Sequence, residues 1–130
     1  KAHGKEDKTV KDVAKEKAKE EIEKHKEEAK RELEKHKKEQ KEKILADAQK
    51  QANKIKAEGK IQGKRAKDEG YKQADALVAK AKKPWEKPAA KLAADKMKKE
   101  ADKSEQKIIN EANKRADDLM RKARQKADAI

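Results

Sequence analysis

The small and apolar residues of this chain recur in steps of four, four and three, and that spacing limits the fold more than anything else in the sequence. Through the middle it reads Ile44, Ala48, Ala52, Ile55, Gly59, Gly63, Ala66, Gly70, Ala74, Leu77, Ala81. Eleven residues in three turns give about 3.67 per turn, close to the helical value, whereas a strand needs alternation in twos. A seam with this period favours straight or weakly right-handed packing, opposite in drift to a heptad seam. The phase continues thinly upstream through Ala18, Ile22, His25, Ala29, Leu33, His36 and Gln40. It returns downstream in Met97, Ala101, Ile108, Ala112, Ala116, Leu119, Ala123, Ala127 and Ile130. The expectation is an all-α chain.

The phase breaks once, at "KKPWEKPAA". Pro84 and Pro88 lie at the break, and each lacks a backbone donor and clashes with the preceding helical turn. The spacing predicts a first helix over 44–83, a proline turn over 84–88 and a second helix over 89–130, folded as a long antiparallel hairpin. Pro88 fits the first turn of the second helix, where proline is tolerated.

Antiparallel partners have residue numbers with a constant sum. A sum of 174 sets Ile44 opposite Ile130, Ile55 opposite Leu119, Ala66 opposite Ile108 and Leu77 opposite Met97. The adjacent diagonal, 175, sets Ala48 opposite Ala127, Ala52 opposite Ala123, Gly59 opposite Ala116, Gly63 opposite Ala112 and Ala74 opposite Ala101. Half of 174 falls inside the turn. Glycine in a helix interior costs ~1 kcal/mol relative to alanine. Gly59, Gly63 and Gly70 make sense on a seam where two backbones approach closely and recover dispersion contacts.

Composition supports an elongated helical chain over a globule. Charged residues are 52% of the 130, there is no Phe, and Tyr71 and Trp85 are the two aromatics. Large apolar side chains are too few and too evenly spread for a compact core. Low hydrophobicity with high net charge also characterises disordered chains. The net charge of +13 is spread along the sequence, which favours interspersed charged faces over one nucleic-acid patch. No apolar run is long enough to span a membrane. The sequence contains no cysteine, so disulfide and thiol chemistry are excluded, while the compartment (bacterial envelope or cytoplasm) stays open.

Residues 1–8 read as a frayed end. From Thr9, a candidate N-cap, residues 9–43 are rich in Lys and Glu, with i,i+4 pairs such as Glu20–Lys24 and Glu27–Arg31. Each pair supports a helix by ~0.2–0.5 kcal/mol. The constant sum leaves this segment no partner within the chain, so it is expected to project from the hairpin. It would stand alone or pair with another molecule through Ile22, Ala29 and Leu33.

Little in the sequence suggests chemistry. His25 and His36 share a helix face but lie about 16 Å apart along the axis, too far to share a metal ion within one helix, though not across an antiparallel partner. Ser104 is the only serine, and no nucleophile–base arrangement or phosphate-binding glycine loop is visible. Carboxylates alternate with lysines rather than forming a catalytic pair. No enzyme activity, cofactor or metal is expected. Trp85, at the turn, is read as a cap over the end of the seam or as a partner anchor, since tryptophan is enriched at interface hot spots. Tyr71 should flank the interface.

Two stretches resemble known families. "SEQKIINEANKRADDLMRKARQKADAI" resembles the eleven-residue-repeat helices of rotary-ATPase peripheral-stalk subunits, which implies a structural role. "KTVKDVAKEKAKEE" and "AEGKIQGKRAKDEGYKQA" are similar to the Lys/Ala-rich repeats of group 3 late embryogenesis abundant proteins, which implies a protectant that is disordered until dried. Lys/Ala-rich tails of uncharacterised bacterial envelope proteins look similar as well. The first functional expectation is a non-enzymatic spacer or scaffold that binds protein, itself or another. The alternatives are a desiccation protectant and a non-specific nucleic-acid binder, though stacking aromatics are lacking for the last.

Overall fold

The computed structural model describes the backbone from Ala2 and side chains from Thr9, so the fraying expected over residues 1–8 falls outside the fully described residues. Two helices account for the chain: α1 (Ala2–Lys80) and α2 (Lys87–Asp128). Within the compact unit of residues 43–129 they pack against each other as an antiparallel helical hairpin. No strand occurs among the described residues.

The link between the helices covers residues 81–86. The first helix therefore stops three residues before the expected boundary, at Lys80, whose carbonyl Pro84 could neither bond nor fit against in a continuing helix. The last turn of α1 tightens as the Ala81 amide donates to the Val78 carbonyl at 3.2 Å. Lys83-Pro84-Trp85-Glu86 then closes a β-turn, the Glu86 amide donating to the Lys83 carbonyl at 3.0 Å. Proline stands at the second position of that turn, where its fixed φ is already suitable. The Ala90 amide donates to the Glu86 carbonyl at 3.1 Å and begins the helical ladder of α2. Pro88 lies in this first turn, where its missing N–H leaves no bond unmade.

The fully covered positions are small. Ala48, Ala52, Ala74, Ala94, Ala101, Ala112, Ala116, Ala123 and Ala127 form the buried hydrophobic set, with Gly59 and Gly63 buried beside them. No glycine in the described chain has positive φ, so close approach rather than a special backbone shape explains these glycines.

The observed register differs from the expected one by about a helical turn. A Cβ at Gly59 would overlap that of Ala112, and one at Gly70 would lie 2.5 Å from that of Ala101. Both pairs sum to 171. The expected partners, Ala116 for Gly59 and Ile130 for Ile44, are therefore wrong. Carried along the hairpin, the same sum sets Ile44 opposite Ala127, Ala52 opposite Leu119, Ile55 opposite Ala116 and Ala48 opposite Ala123. Toward the turn it sets Gly63 opposite Ile108, Ala74 opposite Met97 and Leu77 opposite Ala94. Every layer holds at most one large aliphatic side chain. The expected register stacked large on large and small on small, which would force the axes apart in one layer and leave a gap in the next. Layers of one large side chain against a small one alternate with layers of two small ones, Ala48–Ala123, Gly59–Ala112 and Gly70–Ala101, so no layer forces the axes apart.

Residues 1–42 form a separate unit. Every residue from Thr9 to Gln40 is exposed, and the helix in this unit is laced by pairs such as Arg31–Glu27 at 3.9 Å, with His25 and His36 each about 4 Å from a glutamate three residues on.

Candidate interaction seam

Most eleven-residue blocks of the hairpin contribute two covered small residues and one half-covered adjacent pair. The exceptions are the block from Ala66, where Gly70 is half-buried, and the block from Met97, where Glu105 takes the second small position. In α1 the pairs are Ile44–Leu45, Ile55–Lys56 and Ala66–Lys67; in α2 they include Met97–Lys98, Ile108–Ile109 and Leu119–Met120. The four-four-three spacing marks one member of each pair and misses the other. Lys56 and Lys67, as charged residues, belong in solvent by type, yet both are half-buried, as a long aliphatic stem allows. Gly70 is half-buried, and Ile130 is half-buried beyond the end of α2. At the turn end, Leu77 is 36% exposed and its neighbour Val78 is the better covered.

One polar cluster crosses the seam. The Tyr71 hydroxyl donates to Oδ1 of Asp102 at 2.9 Å. Lys67 and Lys98 place Nζ 5.6 and 5.5 Å from the centre of the Tyr71 ring, within cation–π range. Lys98 also pairs with Asp75 at 3.1 Å, and Lys67 approaches Asp102 at 3.7 Å and Glu105 at 3.9 Å. The hydrogen bond to Asp102 raises the Tyr71 pKa above its usual value of 10.0, with burial and the Asp102 charge acting in the same direction and the two lysines opposing. These contacts fix the register where Gly and Ala alone offer few side-chain features to distinguish one alignment from the next.

Trp85 is 73% exposed. It does not cover the end of the seam, which corrects the expectation of a cap: the Lys83–Glu86 turn carries the ring outward, and Lys83 Nζ lies 5.3 Å from the ring centre. Among the described residues no cluster of three or more His, Cys, Asp or Glu side chains is arranged to hold a metal ion. No helix among them is long and apolar enough to cross a membrane. Shallow grooves run beside the seam, one lined by Ile55, Gly59, Ile108 and Ala112 among others. Comparison with protein-family models, curated proteins and solved structures finds no match for this chain.

Proposed function

We propose that the chain is a non-enzymatic structural element, a spacer or scaffold whose hairpin gives stiffness and whose residues 9–43 engage a protein partner. The observation that carries this reading is the contrast in exposure along one sequence phase. In the hairpin, the phase positions are covered by the returning helix. In residues 9–42 the same phase presents Ile22 and Leu33, 55% and 56% exposed, with Ala29 between them. Large aliphatics held at regular spacing on a charged helix suit docking against another helix. The resemblance to peripheral-stalk helices supports the same role.

The test is a pull-down from the native source with the full chain and with residues 1–43 deleted. Loss of captured protein on deletion supports the reading, and equal capture by both forms rejects it.

A second reading, the protectant that folds on drying, draws support from the buried set being alanine throughout, since each alanine removes little apolar area from water. Circular dichroism in dilute buffer separates the two. Helicity below about a third, no more than an average globular protein shows, favours the protectant, and near-complete helicity favours the scaffold.

A further inference from the structure

The hairpin supplies two packing rules. Each layer sets at most one large side chain against a small one. One position beyond the seam, where residue sums are two higher, the helices exchange polar contacts: Tyr71 with Asp102 and Asp75 with Lys98. Residues 17–34 follow both rules against a second copy of themselves except at the centre, where His25 faces Lys26.

We propose that two copies of this chain pair antiparallel through this segment, about a two-fold axis between His25 and Lys26. The proposal rests on the reading of residues 9–43 as a docking arm and names its partner. At this offset Ile22 faces Ala29 of the second copy and Leu33 faces its Ala18, so both exposed aliphatics meet alanines. One position beyond the seam, Glu23 faces Lys30, Lys19 faces Glu34 and Lys26 faces Glu27, and symmetry repeats each contact. The opposite flank is mixed, Lys17 facing Glu32 and Glu21 facing Glu28. The occupant is thus argued from charge complementarity and from the fit of both exposed aliphatics against alanines. An isologous contact of this kind closes on itself and stops at a dimer.

The sequence has no cysteine, which makes the offset testable by single substitutions in the full chain. Near the axis, His25→Cys should cross-link to its own copy on oxidation. Ile22→Cys should not, since the two copies of residue 22 lie roughly 10 Å apart along the axis, beyond the reach of a disulfide. Mixed Ile22→Cys and Ala29→Cys chains should cross-link to each other. Sedimentation should show a mass doubling with concentration. The double variant Ile22→Glu, Leu33→Glu should weaken it by roughly tenfold or more in Kd at unchanged helicity. Self-cross-linking of Ile22→Cys as readily as His25→Cys would indicate parallel pairing and overturn the proposal, and so would a monomer at all concentrations. If the monomer still captures a different protein through residues 1–43, the docking arm stands and the self-pairing alone fails.

Discussion

Residues 44–81 and residues 9–42 place large aliphatics at the same eleven-residue spacing, Ile22, Leu33, Ile44 and Ile55. Yet the first is half of a packed hairpin and the second, much more densely charged, is almost entirely exposed. What separates them is the identity of about one residue per turn. In 44–81 the layers between large aliphatics hold Ala48, Ala52, Gly59, Gly63, Gly70 and Ala74. In 9–42 the positions that match Ala48 and Ala52 fall on Lys26, Lys30, Lys37 and Lys41. A helix can be held by i,i+4 ion pairs alone, but close pairing of two backbones needs a stripe with little side chain.

The sharpest way to break this contrast is to fill the stripe. Gly59→Leu should cost the hairpin about 2–3 kcal/mol through overpacking, read as a lowered melting temperature. Gly59→Ala and Gly70→Ala should also destabilise, because the new Cβ meets the Cβ of Ala112 or Ala101. Gly63→Ala should be mildest of the three. Its Cβ would lie 3.3 Å from side-chain atoms of Glu105 and Ile109 and 3.1 Å from the Glu105 carbonyl, and the side chains can shift while helix propensity gains up to ~1 kcal/mol. Equal losses at all three positions would refute a register that sets Gly59 against Ala112 and Gly70 against Ala101.

Next in size is the polar cluster. Tyr71→Phe keeps the ring between the lysines but removes the hydrogen bond to Asp102, and should lower the melting temperature modestly near neutral pH. The sign of the pH effect follows from the raised pKa of Tyr71. Its stabilisation is fully present below the ordinary tyrosine value and is lost as pH rises through the higher folded value. The gap between wild type and Tyr71→Phe should therefore close in strong alkali, and a gap that persists there would mean that the hydrogen bond is not its source.

Smaller still, Glu27→Ala should reduce helicity of the 9–42 segment by about 0.2–0.5 kcal/mol and leave hairpin melting unchanged. Hydrogen exchange would locate the effect: amides of residues 9–42 should exchange faster than those around Ala74 and Ala116, the two residues with no exposure at all. Trp85→Ala should change stability by less than about 0.5 kcal/mol, since its ring stands in solvent. A larger loss in melting temperature would show that the turn depends on it.

The hairpin architecture was legible because two independent signals agreed, the eleven-residue phase and the proline break. Its alignment was not. A repeating seam matches itself at several offsets, and scoring by likeness paired Ile55 with Leu119, whereas even spacing sets Ile55 opposite Ala116. The second member of each half-covered pair was hidden for a related reason. A spacing of one residue per turn traces a line, but the seam is two residues wide wherever the larger side chains sit, so Leu45, Ile109 and Met120 lie off that line. The exposure of Trp85 follows from its place at the turn; of its two expected roles, the cap is the one its 73% exposure argues against.

Because both arms repeat every eleven residues with no layer holding two large aliphatics, the hairpin can be shortened or lengthened in fixed quanta. Removing residues 49–59 together with 112–122 would take three turns from each arm and bring Ala48 and Ala123 next to Lys60 and Glu111 with the sum of 171 intact. Duplications of the same size would extend it equally well. A reach adjustable by copying one module, without redesigning a single contact, is a useful property for a part whose job is to set a distance.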